Sequence, residues 1–352
     1  MLALLFIIIA LGIISEIVSL KRDPDMVELD YTISARCTEP GIPFSVRIAV
    51  TNKSRIPISY LAVREVCSPA ATLSEAIAFR ERQDGLHTKK VCRVKGRQRK
   101  ILTSETSVSE RGVHLFCVES YEFGDFLGFN ELQKKVSYRR EVVVYPKRLD
   151  NADLTDALGR FYGDLAAKRF LIRDPILTIG CREYTGREPM KEIHWLQSAH
   201  RGELMVREFD YNRQLSACVI LGVDAVSPAD TEGLDECCST ARTICELLAE
   251  TGASVNFFTN SLLIRRSGRE VWKCDVSSGS TGELLEGLGR VSYNACCSLE
   301  SLLEYALRKN EYDAVFIVIL PAGDNRGEEA IARLRNRTGQ EALLVRIKGE
   351  QV

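Results

Sequence analysis

The chain has 352 residues, 45% of them apolar and 27% charged, with 47 Lys and Arg set against 48 Asp and Glu. At roughly 100 to 200 residues per domain this length predicts two folded units, and the composition is that of a globular protein. A net charge of -1 supplies no global field to gather nucleic acid, so no nucleic-acid partner is expected.

Residues 1–20 contain neither Lys nor Arg, and Glu16 is their only charged side chain, so a continuous apolar run over the first fourteen residues extends to twenty if Glu16 lies near an interface. A run of this length is just enough to span a bilayer. The competing signal peptide would need a basic leading segment and a small-x-small cleavage site, and both are missing. Lys21 and Arg22 follow at once, and the positive-inside rule then places the remainder in the cytoplasm. The expectation is a single-pass protein of the cell membrane. A second basic stretch, 80–100, reads as a solvated hairpin or as a contact with anionic lipid. The twelve cysteines show no C-x-x-C pair and no zinc-site spacing. Several, such as Cys237 and Cys245, fall at helical spacing among apolar residues, which predicts reduced, buried thiols.

From about residue 28 to 148 the pattern is all-β. Phe44, Val46, Ile48 and Val50 alternate with Ser45, Arg47 and Ala49, a period of two that marks a half-buried strand. Further runs at 58–66, 113–118 and 141–145 predict an immunoglobulin-like sandwich. A polar, weakly helical connector covers 151–169, within a linking region 149–210. Beyond residue 211, strands 217–223, 254–258, 314–320 and 342–347 alternate with helical patterns, and a hairpin is expected around Ser267 and Gly268. That order predicts an α/β doubly wound sheet, with ligands outside the carboxyl ends of its strands. Asp224 and Asp324, each just past a strand, mark the default pocket edge.

The densest chemistry lies at 180–199: Arg182, Glu183, Tyr184, Gly186, Ile193, His194, Trp195, Ser198 and Ala199 stand in one short stretch. Read from the residues, this is a polar brace in which Arg182 forks onto a carboxylate such as Glu183, or a recognition surface. The run closely resembles the signature of the "domain of unknown function 58" family. The segments 111–114 (Arg-Gly-x-His), 124–129 and 142–146 (Val-Val-Val-Tyr-Pro) are also similar to that family. The resemblance implies a prokaryotic membrane protein with a von Willebrand factor A-like domain at 211–352, often encoded beside a MoxR-type AAA+ ATPase and without established enzymatic activity.

Departures from the pattern are Gly186-Arg187, where the family has Gly-Asp, and Lys191, where Arg is usual. A von Willebrand A metal site needs Asp-x-Ser-x-Ser, hard oxygen ligands from one turn. Here Val226 and Pro228 occupy the hydroxyl positions, with Ser227 displaced by one, so Asp224 is the remnant of a degenerate site. No metal and no cofactor are expected. The leading functional expectation is a membrane-anchored, non-enzymatic adaptor for a protein partner, a MoxR-type ATPase being the one implied. The alternatives are a hydrolase using His194 as base and Ser198 as nucleophile, and a metal-dependent adhesion domain.

Overall fold

The alternating residues at 44–50 do turn one face inward. Phe44, Val46, Ile48 and Val50 are all at most 4% exposed in the computed structural model. It describes residues 24–73, 79–82, 85–124, 131–169, 178–186, 188–209, 216–225, 231–265, 270–272, 281–309, 314–321, 326–339 and 342–347.

Ten strands build the first unit: β1 (Val27–Ile33), β2 (Cys37–Thr38), β3 (Phe44–Asn52), β4 (Ile58–Cys67), β5 (Ala71–Leu73), β6 (Phe79–Arg82), β7 (Gly85–Val94), β8 (Arg99–Val108), β9 (Gly112–Gly124) and β10 (Glu131–Val144). They form two sheets, ordered β1-β3-β8-β5 and β2-β10-β9-β4-β7-β6. All pairings are antiparallel except the short β2 beside β10. Tyr31, Ile48, Val63, Phe116, Tyr121 and Val142 interdigitate in the core between them. The described part of the basic stretch at 80–100 lies in strands β6 to β8, where Lys89, Lys90 and Arg99 pair with carboxylates of the sandwich. Lys90 Nζ is 2.5 Å from the buried carboxylate of Glu65, to which Tyr31 also donates at 2.7 Å. Lys89 pairs with Glu122, and Arg99 with Asp30.

Helix α1 (Ala152–Arg169) follows the sandwich. Next comes a small arm: β11 (Thr178–Glu183) pairs antiparallel with β12 (Met205–Phe209), and between them runs helix α2 (Trp195–Arg201). The remaining elements are β13 (Ser216–Leu221), α3 (Thr231–Glu250), β14 (Ser254–Thr259), β15 (Ser261–Ile264), β16 (Glu270–Trp272), α4 (Thr281–Gly289), β17 (Val291–Ala295), α5 (Leu299–Lys309), β18 (Val315–Leu320), α6 (Arg326–Thr338) and β19 (Ala342–Arg346). Four of these strands form a parallel layer ordered β14-β13-β18-β19. Leu234, Cys237, Ala241, Ile244, Cys245 and Leu248 recur every three or four residues along α3 and press on one face of it. On the other face lie Leu299, Leu302 and Leu303 of α5 and Ile331 and Leu334 of α6.

Two expectations are corrected. Strand is the commonest state, 48% of the described residues, and the doubly wound von Willebrand A-like domain expected at 211–352 is not what the topology gives. Parallel neighbours need a long crossover, yet only Asn260 separates β14 from β15. The chain therefore leaves the layer, and β15, β16 and β17 form a separate antiparallel sheet. The expected single-pass membrane protein is corrected as well. Among the described residues no helix is long and apolar enough to cross a membrane. The expected span, 1–20, lies outside them, and the cytoplasmic placement that rested on it goes with it.

Candidate functional site

The arm carries the described residues of the 180–199 stretch. Its small core is Ile193, Met205 and Val206, each at most 3% exposed, with Ile193 bridging to Val206. Gly186, at φ +86°, takes the left-handed conformation that lets the chain turn after Tyr184, whose N–H donates to the Leu204 carbonyl at 2.8 Å. The turn is closed by Glu188, which accepts from the Thr185 N–H at 3.1 Å and the Thr185 hydroxyl at 2.8 Å. Arg182 reaches the same carboxylate at 2.6 Å. The predicted fork of Arg182 onto the Glu183 carboxylate is thus replaced. Arg182 pairs with Glu188 and donates to the Glu183 carbonyl oxygen. The Thr185 hydroxyl and the Arg182 guanidinium hold the Glu188 carboxyl down to about 2.

His194 caps α2. Its ring Nδ1 accepts from the Gln197 N–H at 3.2 Å, and the His194 backbone N–H donates to the Met205 carbonyl at 2.8 Å. Ser198 is 8% exposed, and its hydroxyl donates to the His194 carbonyl at 3.0 Å while accepting from the Met205 N–H at 2.8 Å. The hydroxyl thus meets the backbone of His194 and not its ring, so the serine–histidine pair required by a hydrolase is not assembled. Both residues serve as braces that fix α2 against β12. With them in place, Trp195 is left 61% exposed, beside Leu196 at 70% and Met190 at 69%, with Leu204 at 45%. Ala199 is exposed on the same helix. Leu196, Met190 and Leu204 were not singled out by sequence. Their signal is apolar residues in a polar run that match neither helical nor strand periodicity.

Just past the carboxyl end of β13, one carboxylate oxygen of Asp224 is committed to protein partners. Its Oδ2 accepts from the Leu299 N–H at the start of α5, at 3.2 Å, and lies 2.6 Å from Nη1 of Arg326 on α6. A guanidinium thus stands against Oδ2, while Oδ1 is buried without a hydrogen-bond partner among the described residues. Asp324, Val226, Ser227 and Pro228 lie outside the described residues. Beside Asp224, Asn260 ties three segments together. It accepts from the Val223 N–H, donates to the Cys297 carbonyl, and receives the Cys296 N–H on its own carbonyl.

The segments 111–114 and 142–146 meet at the seam between the sandwich and the parallel layer. Arg111, its side chain 5% exposed, leaves the sandwich to bind Asp235 of α3 at 2.7 Å and the carbonyls of Leu288 and Val291. His114 is buried and makes hydrogen bonds with the Ser68 hydroxyl and the Glu110 carbonyl. Val142, Val143 and Val144 are fully buried, and the Pro146 carbonyl accepts from Arg242 at 2.6 Å. Arg242 of α3 also binds both oxygens of Glu39. Arg290 joins Glu141 of β10 to Glu286 of α4. Arg242 and Arg290, unlike Arg111, are not distinguishable by pattern from surface arginines.

No protein-family profile matches the chain, and no curated protein does. Among solved structures it is similar to a cohesin module of a family 33 glycoside hydrolase from Clostridium perfringens (10% identity, 34% of this chain and 94% of that one, TM-score 0.27). It is also similar to the third ScaC cohesin of Acetivibrio cellulolyticus, solved in complex with a ScaB dockerin (16% identity, 34% and 99%, TM-score 0.26). A third is the Escherichia coli alpha-2-macroglobulin fragment from domain MG7 onward (13% identity, 34% and 17%, TM-score 0.26).

Proposed function

We propose that the chain is a non-enzymatic interaction protein whose β11–α2–β12 arm is the docking surface for a protein partner. The observation that supports this is the exposure of Trp195, Leu196 and Met190, the three most exposed large apolar side chains among the described residues, on one braced unit. Clustered exposed apolar side chains mark interaction sites, and a tryptophan held on a rigid element is a typical anchor. Arg182, Glu188, His194 and Ser198 act behind that surface, holding the turn and the helix that present it. The resemblance to the domain of unknown function 58 family suggests a MoxR-type AAA+ ATPase as the partner.

The test is direct binding of the full chain to a purified MoxR-type ATPase encoded in the same genome, with wild type compared with Trp195→Ala/Leu196→Ala. Both positions are more than half exposed, so the variant keeps its fold, and affinity is expected to fall on the order of tenfold or more, as for a hot-spot pair. Wild type that binds no such ATPase overturns the partner. A double variant that binds as tightly as wild type overturns the surface.

A further inference from the structure

Adjacent residues of an extended chain point to opposite sides, so two neighbouring cysteines ordinarily hold their sulfurs apart. Cys296 and Cys297 do not. Just past the end of β17 the chain bends, and the two Sγ atoms converge to 3.9 Å. Both residues are half-buried and reachable from solvent. The bend is fixed from outside the pair: the Cys296 N–H donates to the Asn260 carbonyl at 2.8 Å, the Cys296 thiol to the same oxygen at 3.0 Å, and Asn260 Nδ2 to the Cys297 carbonyl at 2.9 Å. The other doublet, Cys237 and Cys238, lies wholly buried in α3 and serves as an internal contrast.

We infer that Cys296 and Cys297 form an exchange-active vicinal dithiol at the strand-end face, which closes to a disulfide on meeting a small-molecule disulfide. One thiolate attacks the incoming disulfide, forming a mixed disulfide and releasing one small thiol. The neighbouring thiolate then displaces the second small thiol and the intramolecular S–S bond forms. The two cysteines are oxidised, the small disulfide is reduced to two thiols, and the two cysteine protons leave with them. Closure removes the Cys296 S–H donor from Asn260. Through Asn260 it reaches the Val223 N–H, one residue before Asp224.

The sequence makes the test clean. Trypsin cuts after Arg290 and Arg308, and the peptide 291–308 contains these two cysteines and no others. The native full chain is incubated with oxidised glutathione, blocked with iodoacetamide, digested and mapped by mass. The expected product is peptide 291–308 carrying no alkyl group and two hydrogens lighter than the reduced form, with Cys237 and Cys238 still reduced. In Cys297→Ser the expected product is a lasting glutathione adduct on Cys296. If that variant does not fold, the wild-type map decides alone. A wild-type peptide that stays doubly alkylated, or that stops at a single glutathione adduct, overturns the inference.

Discussion

Arg242 and Glu39 form a two-bonded ion pair across the seam, Nη1 to Oε2 at 2.6 Å and Nη2 to Oε1 at 2.8 Å. The guanidinium is 8% exposed and the carboxylate 45%. Its planar fork also holds the Pro146 carbonyl and Glu246. Breaking a fully buried pair costs about 3–5 kcal/mol; the exposure of Glu39 lowers this for Arg242→Ala to about 2–3 kcal/mol. Arg242→Lys restores the charge but not the fork and recovers less than half of the loss. Urea denaturation of the three proteins checks both figures.

Gly289 ends α4 against β10, where an added Cβ would meet Val143 Cγ1 at 2.6 Å and the Val144 carbonyl oxygen at 2.9 Å. Gly289→Ala is therefore expected to destabilise by about 1–3 kcal/mol through overpacking. Gly159, in the middle of α1, meets nothing within 4 Å. Gly159→Ala is expected to stabilise by about 0.5–1 kcal/mol through helix propensity. Opposite shifts in melting temperature are the readout.

Asp224 caps α5 and pairs with Arg326. Asp224→Ala is expected to cost about 1–2 kcal/mol, the worth of a cap with a charge at a helix N-terminus. Because Arg326 stands against the carboxylate, added Mg²⁺ is expected to leave the melting temperature of wild type unchanged, since a ligand bound only by the native state would raise it. A magnesium-dependent rise would show that the cation displaces the arginine.

Burial lowers the pKa of His114 from 6.5. The unfolded chain then takes up its proton near pH 6.5 while the folded chain resists, so stability contributed above that pH is lost as pH falls below it. His114→Gln is expected to flatten this slope in denaturation curves collected through the window. The Glu188 carboxyl is also depressed, from 4.5 to about 2. Its contribution is complete above pH 4.5 and disappears as pH falls toward 2. The exposed Trp195 provides a fluorescence signal for loss of the arm's order over that lower window.

What the sequence makes legible is local. The alternation at 44–50 and the three-and-four spacing along α3 each report a single apolar face, and each face is buried as its period requires. The basic stretch misleads because Lys90 reads like its neighbours, although its partner Glu65 is 25 positions away. Helix α4 is hidden by Gly282, Gly287 and Gly289, the last retained for the close approach to β10 and against helix propensity. The continuation of the parallel layer fails at Asn260, where one residue leaves no room for a crossover. In the arm, the identities of Arg182, His194 and Ser198 point to a network, but the partners that define it, Glu188 and the Met205 backbone, depend on a turn that no periodicity announces.

The seam has a consequence for how this chain can be divided. Residue 149 looks like a natural place to cut a gene, with an all-β half before it and a mixed half after. Yet Leu149 itself donates its N–H to the Thr243 hydroxyl of α3 at 2.9 Å, and Tyr145 packs into the core of the second half. Fragments expressed separately on either side of that point would each expose a sticky wound: Val143 and the carboxylates of Glu39 and Glu141 that receive Arg242 and Arg290 on one, Gly289 and the Asp235 socket of Arg111 on the other. Coexpression should rescue solubility where either fragment alone precipitates, making the halves a split pair instead of two portable modules.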